Sequence, residues 1–129
     1  MKNEVMTRDV AINQIEQILE YFEVESIDTA VKEKLVISCQ LGRIYRDGDS
    51  IVYTLKNPVK LANDDTIDRL MFKEVTANDM RSLDKYPRDA DNARSIVMIS
   101  ITTCQPLEVI NRLSLTDTTM AGFITGIFG

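Results

Sequence analysis

The sequence predicts an α+β fold, a small antiparallel sheet packed with several helices, and three features carry that prediction. Ala11, Ile15, Ile18, Leu19 and Phe22 recur at i, i+4, i+7, i+8 and i+11, the apolar stripe of an amphipathic helix. Ile51-Val52-Tyr53-Thr54-Leu55 and Thr66 to Phe72 are short runs rich in β-branched and aromatic residues. Between them Asn63-Asp64-Asp65 supplies turn chemistry, so the pair reads as a hairpin. Helical spacing returns at the end, where Met120, Phe123, Ile124, Ile127 and Phe128 fall at i, i+3, i+4, i+7 and i+8.

Taken in order, the first helix covers Arg8 to Phe22, with Glu16, Glu20 and Glu23 on its wet face. Its stripe fits either the chain's own core or a dimer seam. Ser26 or Asp28 is positioned to cap a second helix that runs to Gly42, glycine being the favoured left-handed residue after a helix end. Val31, Leu35 and Cys39 then face inward, although Val36 and Ile37 would also suit a strand. Residues 43–46 form a first strand, and Asp47-Gly48-Asp49 turns the chain into the second. Asn57-Pro58 closes that second strand, because proline lacks the N–H a ladder requires. The sheet expected is therefore three antiparallel strands at 43–46, 51–55 and 66–73. Thr76 and Asp79 have the spacing of a capping box for a short helix over Ala77–Leu83. A longer helix starts at Asp89 or Asp91 and presents Ala93, Ile96, Val97, Ser100 and Cys104 on one face. Ser95 to Ile101 has strand composition as well, which periodicity alone does not settle. Pro106 suits a first helical position ahead of Leu107–Leu113, and Ser114 or Thr116 caps the final helix, Asp117 to Gly129. That helix has almost no charge on its second face. It fits docking on the chain's own core, or insertion into a groove of a partner or neighbouring copy.

Organisation follows from this order: an N-terminal helical extension over residues 1–50 and a hairpin-then-helices domain over residues 51–129. With 129 residues, 44% hydrophobic and 27% charged, the chain is globular and large enough to bury one core. No apolar run reaches membrane-spanning length, and the charged start MKNEVMTRDV is not expected to be a secretory signal. Two distant cysteines, Cys39 and Cys104, are expected as buried free thiols.

Chemistry is mostly excluded. The chain has no histidine, so His-dependent nucleophilic triads and His-based zinc sites are absent. It contains neither a phosphate-binding glycine loop nor a dinucleotide-binding fingerprint. Asp64-Asp65 and Asp89/Asp91 sit at turn and cap positions, where aspartate already has a structural role. Net charge is −5, with ten acids against six bases in residues 1–50 and no basic stripe in either half. Nucleic-acid binding, which rests on neutralising phosphates, is disfavoured. No catalytic residue, cofactor or metal ligand is expected, and the chain reads as a non-enzyme.

One stretch carries a resemblance. TLKNPVK (54–60) followed by TIDRLMFKEVTANDMRSL (66–83) resembles the small tail assembly chaperones of Mu-like and related contractile-tailed bacteriophages, through Leu55, Asn57, Pro58, Ile67, Leu70 and Asp79. The likeness extends loosely to Phe128 and leaves residues 1–50 without a counterpart. The family's proline is replaced here by Val75-Thr76. The resemblance implies a non-catalytic protein of the bacterial host cytoplasm. Such a protein binds the long helical tape measure protein while tail tube protein assembles around it. It also implies a longer, frameshifted form of the same chain as a further partner, while the stripe of the first helix and the apolar C-terminus lead to an expected homo-oligomer. The contact residues it suggests are Leu55, Asn57, Pro58, Met120, Phe123, Ile124, Ile127 and Phe128. A structural or adaptor subunit of a phage tail or contractile apparatus is the alternative expectation.

Overall fold

The computed structural model describes residues 4–87 and 89–128, and its architecture is α+β, with helices packed on a three-stranded antiparallel sheet. Helices α1 (Arg8–Tyr21) and α2 (Thr29–Gln40) form a hairpin. Both start on side-chain caps, since Thr7 accepts from the Val10 N–H and Asp28 from the Ala30 and Val31 N–H groups. Both also end on a left-handed residue that lets the chain wind back on the last turn. Glu23 (φ 58°) precedes a Val24 N–H to Leu19 carbonyl bond, and Gly42 (φ 72°) precedes an Arg43 N–H to Ser38 carbonyl bond. Ala11, Ile15, Ile18 and Leu19 are buried, with Phe22 packed against them, so the α1 stripe is used inside the chain.

Strands β1 (Ile44–Asp47), β2 (Ser50–Lys60) and β3 (Thr66–Lys73) lie in the order β1-β2-β3. The β1–β2 turn is Gly48-Asp49, with Gly48 at φ 60°. Alternation places Ile44, Ile51, Tyr53, Leu70 and Phe72 on one face, in a single buried cluster with Ala11, Ile15, Leu35, Ile99, Ile110 and Ile124. On the opposite face Tyr45, Val52 and Met71 are cross-strand neighbours, with Val52 buried and Tyr45 and Met71 exposed.

β2 corrects the expectation that Asn57-Pro58 ends the strand. The chain passes through Pro58 and continues pairing at Val59↔Ile67 and Lys60↔Thr66. Between Thr54↔Arg69 and Val59↔Ile67 the register shifts, so Leu55 to Pro58 stand opposite Asp68 alone. A bulge is one of the few places inside a strand where proline's missing N–H breaks no ladder bond.

The Thr76–Asp79 pair makes both reciprocal bonds of a capping box, but the helix it opens is a 3₁₀ helix at Asp79–Lys85 and not an α-helix over 77–83. Helix α3 (Asp91–Thr103) settles the ambiguous stretch as helix. Its buried residues are Val97, Ile99, Thr102 and Thr103, and Cys104 is exposed at φ 56°, so the expected face holds only in part. Thr102 and Thr103 tolerate burial because their hydroxyls donate to the Met98 and Ile99 carbonyls one turn back. Cys39 is buried, and both thiols are free. Helix α4 spans Leu107–Asn111, with Pro106 one position earlier than expected: its carbonyl accepts from Val109 and Ile110.

Helix α5 (Leu115–Phe128) packs on α3, β2, β3 and α2. Its missing charge is explained by burial on two faces, since Ala121 and Thr125 are buried along with Met120, Ile124 and Ile127. No helix among the described residues is long and apolar enough to cross a membrane.

Candidate functional site

Two local arrangements surround α5, one at each end of the helix. At its N-terminus, Asp117 is fully buried and collects four donors. Oδ1 accepts from the Tyr53 hydroxyl (2.8 Å) and the Lys56 N–H (2.9 Å). Oδ2 accepts from the Asn57 N–H (3.0 Å) and the Ser114 hydroxyl (3.1 Å). The Ser114 hydroxyl oxygen in turn accepts from the Asp117 N–H at 3.2 Å, so serine caps the first turn of α5. The carboxylate thus ties the start of α5 to the sheet: it holds the capping serine and takes the two N–H groups that the β2 bulge withdraws from the ladder. Burial, and then the bond to Asp117, push the Tyr53 hydroxyl well above the ordinary tyrosine range. A carboxylate with all its acceptor directions filled by donors is locked, which argues for a structural role rather than acid–base work.

At the other end lies a groove of about 260 Å³ between α5 and the α1–α2 connection. Val24, Ile27, Val31, Phe123 and Ile127 supply apolar walls. Gly122 and Gly126, one turn apart on α5, are exposed, and a Cβ built on either meets nothing within 4 Å. Exposed Glu23, Glu25 and Asp28 belong to the same connection, so the rim beside the apolar walls is acidic.

The residues anticipated from sequence are divided by this geometry. Leu55, Met120, Ile124 and Ile127 are buried in the chain's own core. Asn57 and Pro58 are exposed at the bulge, near the Asp117 end of α5. Phe123 and Ile127 line the groove, and Phe128 is half-buried with its ring 4.8 Å from that of Phe22, edge to face. Asn57-Pro58 and the groove are thus brought to different ends of α5, not to one patch. Sequence reading missed Asp117, although Ser114-Leu-Thr-Asp117 ahead of an apolar run is the signal that marks it. It also passed over Gly122 and Gly126, whose four-residue spacing puts both on one helix face.

Among the described residues no group of three metal-binding side chains occurs. Comparison with protein-family models, with curated proteins and with solved structures finds no match to this chain.

Proposed function

We propose that this protein is a non-catalytic binding module that shields an amphipathic helix, and specifically a tail assembly chaperone for a tape measure protein in the bacterial cytoplasm. The observation that carries the binding reading is the α5 groove. An apolar trough with a glycine floor accepts a helix closely, because nothing projects from Gly122 or Gly126 to hold it away. The acidic rim favours a client whose apolar strip is flanked by lysine or arginine, and it disfavours acidic competitors. The narrower assignment to tail assembly rests on the resemblance over residues 54–83, and it makes the tape measure protein the client.

Co-expression with the tape measure protein tests the assignment, with client solubility as the readout. The client is expected to stay soluble with the native chain and to precipitate with Gly126→Leu, whose side chain fills the trough. That variant also replaces a helical glycine, so the chaperone itself is expected to gain stability, by about 0.5–1 kcal/mol. A client equally insoluble with and without the native chain would sink the assignment. A chaperone is also expected to be missing from purified particles, whereas a structural subunit would remain in them.

A further inference from the structure

The free edge of β1 is the other unfinished surface of this molecule. The Thr54 N–H donates to the Arg43 carbonyl at 2.7 Å, which fixes the alternation of the β1–β2 ladder. Tyr45 and Asp47 therefore direct their backbone groups at β2, while Ile44 and Arg46 direct theirs away from the sheet. Among the described residues no other group bonds those outward N–H and C=O groups. The space beside them is a groove of about 570 Å³ between β1 and α1, lined by Gln14, Gln17, Tyr21, Tyr45 and Arg46 among others. On the α1 side its walls are Gln14, Gln17, Ile18 and Tyr21, with Glu20 the one acidic side chain among them. The edge carries charge, in Arg46 and Asp47, together with two exposed aromatics, Tyr45 on the strand and Tyr21 beside it, the latter under the Arg46 guanidinium at 4.0 Å.

The sequence of this edge is complementary to itself. We propose that β1 pairs antiparallel with β1 of a second copy about a two-fold axis at Tyr45, joining two three-stranded sheets into one of six strands. Ile44 then lies opposite the partner's Arg46, and Arg46 opposite the partner's Ile44. These are the residues whose backbone groups are free, so four ladder bonds form. Arg43 meets the partner's Asp47, and symmetry repeats that opposite-charge pair. Tyr45 faces its own copy at the closer, non-hydrogen-bonded spacing. The corresponding arrangement on the opposite edge of the sheet is unfavourable. On β3, antiparallel self-pairing about Met71 would set Arg69 against the partner's Lys73 twice, a like-charge arrangement. Charge order therefore favours the β1 edge, and a two-fold pairing there uses up that edge in both copies and closes the dimer. This pairing is independent of the client reading, since it needs no second protein.

Sedimentation of the native chain across a concentration series is expected to show a monomer–dimer equilibrium. Arg43→Asp alone and Asp47→Arg alone should each weaken the dimer by about tenfold or more, because each converts two attractive cross-strand pairs into repulsive ones. The double variant restores opposite charges and should restore the dimer. Arg69→Glu on β3 should leave it unchanged. In the native chain, amide exchange by NMR should show Ile44 and Arg46 protected when concentrated and unprotected on dilution. A chain that stays monomeric throughout would overturn the proposal. So would growth beyond the dimer, a dimer indifferent to the single swaps, failure of the double swap to restore it, or loss of the dimer in Arg69→Glu.

Discussion

The β2 bulge and the β1 edge pose the same chemical problem and resolve it in opposite ways. In both places backbone N–H groups leave the sheet ladder. At the bulge, the Lys56 and Asn57 N–H groups are taken by Asp117, a carboxylate from a helix about sixty positions later in the chain. At the edge, the outward groups of Ile44 and Arg46 meet no acceptor or donor among the described residues. An irregularity near the core must be satisfied from within, because an orphaned buried donor costs about 1–3 kcal/mol. One at the rim has water as an alternative and can wait for a partner. The contrast separates the part of the sheet that holds the fold from the part that offers a surface.

Removing the internal acceptor should have the largest effect. Asp117→Ala leaves Tyr53, two backbone N–H groups and the Ser114 hydroxyl without their acceptor. A loss of about 3 kcal/mol or more is expected in urea unfolding. If the stability were unchanged, the bulge would not depend on Asp117, and the contrast with the edge would collapse. Tyr53→Phe removes one donor and leaves the acceptor three, so about 1.5 kcal/mol is expected, with strong coupling to Asp117→Ala in a double-mutant cycle. Tyr53 also predicts a pH dependence. Its pKa is raised in the folded chain, so the neutral phenol is the form that folding favours. Its contribution is complete below the ordinary tyrosine value of about 10 and is lost as pH rises through the folded value. The native chain should therefore weaken in strong alkali more steeply than Tyr53→Phe, which unfolding curves at a series of pH values will show.

Ser114→Ala takes away the cap acceptor of the Asp117 N–H together with one donor to the carboxylate, and should cost about 1 kcal/mol in the same assay. Thr125 sharpens the comparison from the other direction. Its buried hydroxyl oxygen has no hydrogen-bond partner among the described residues. Thr125→Val exchanges that group for a methyl of similar shape, and a stability gain of up to about 1 kcal/mol is expected, read as a higher thermal midpoint. At the edge, Tyr45→Thr keeps a residue with strand preference on an exposed strand. In dilute solution it should change stability by less than about 0.5 kcal/mol, while self-association weakens. A large loss in the dilute monomer would mean that β1 is held by something other than its ladder to β2.

How much of this could be read from the chain depended on how far each signal reaches. The α1 stripe, the Gly42 helix end, the Thr76–Asp79 box and the turn at Gly48 each depend on residues within a few positions of one another, and each appears where its pattern stands. Asn57-Pro58 misled for a physical reason: locally it ends a strand, and only a distant carboxylate makes it a bulge through which the strand continues. Ser95 to Ile101 has a composition that suits strand or helix. It becomes helix as part of α3, where Val97 and Ile99 are buried and the next residues, Thr102 and Thr103, bond back to their own helix. The α5 groove was half legible. Phe123 and Ile127 announce an apolar helix, but the trough exists because Val24, Ile27 and Val31 come from another part of the chain.

By itself, then, the sequence determined the fold class, the three-stranded sheet, the caps and turns, and the absence of histidine chemistry, all of which rest on local spacing and residue type. Tertiary structure alone decided which apolar stripes are used inside the chain, which carboxylate closes the bulge, and which strands become the edges of the sheet. Those outcomes turn on strand order and on contacts between residues tens of positions apart. Short-range patterns carry no information about such contacts, because the free energy that selects them is gained only when the whole core closes at once.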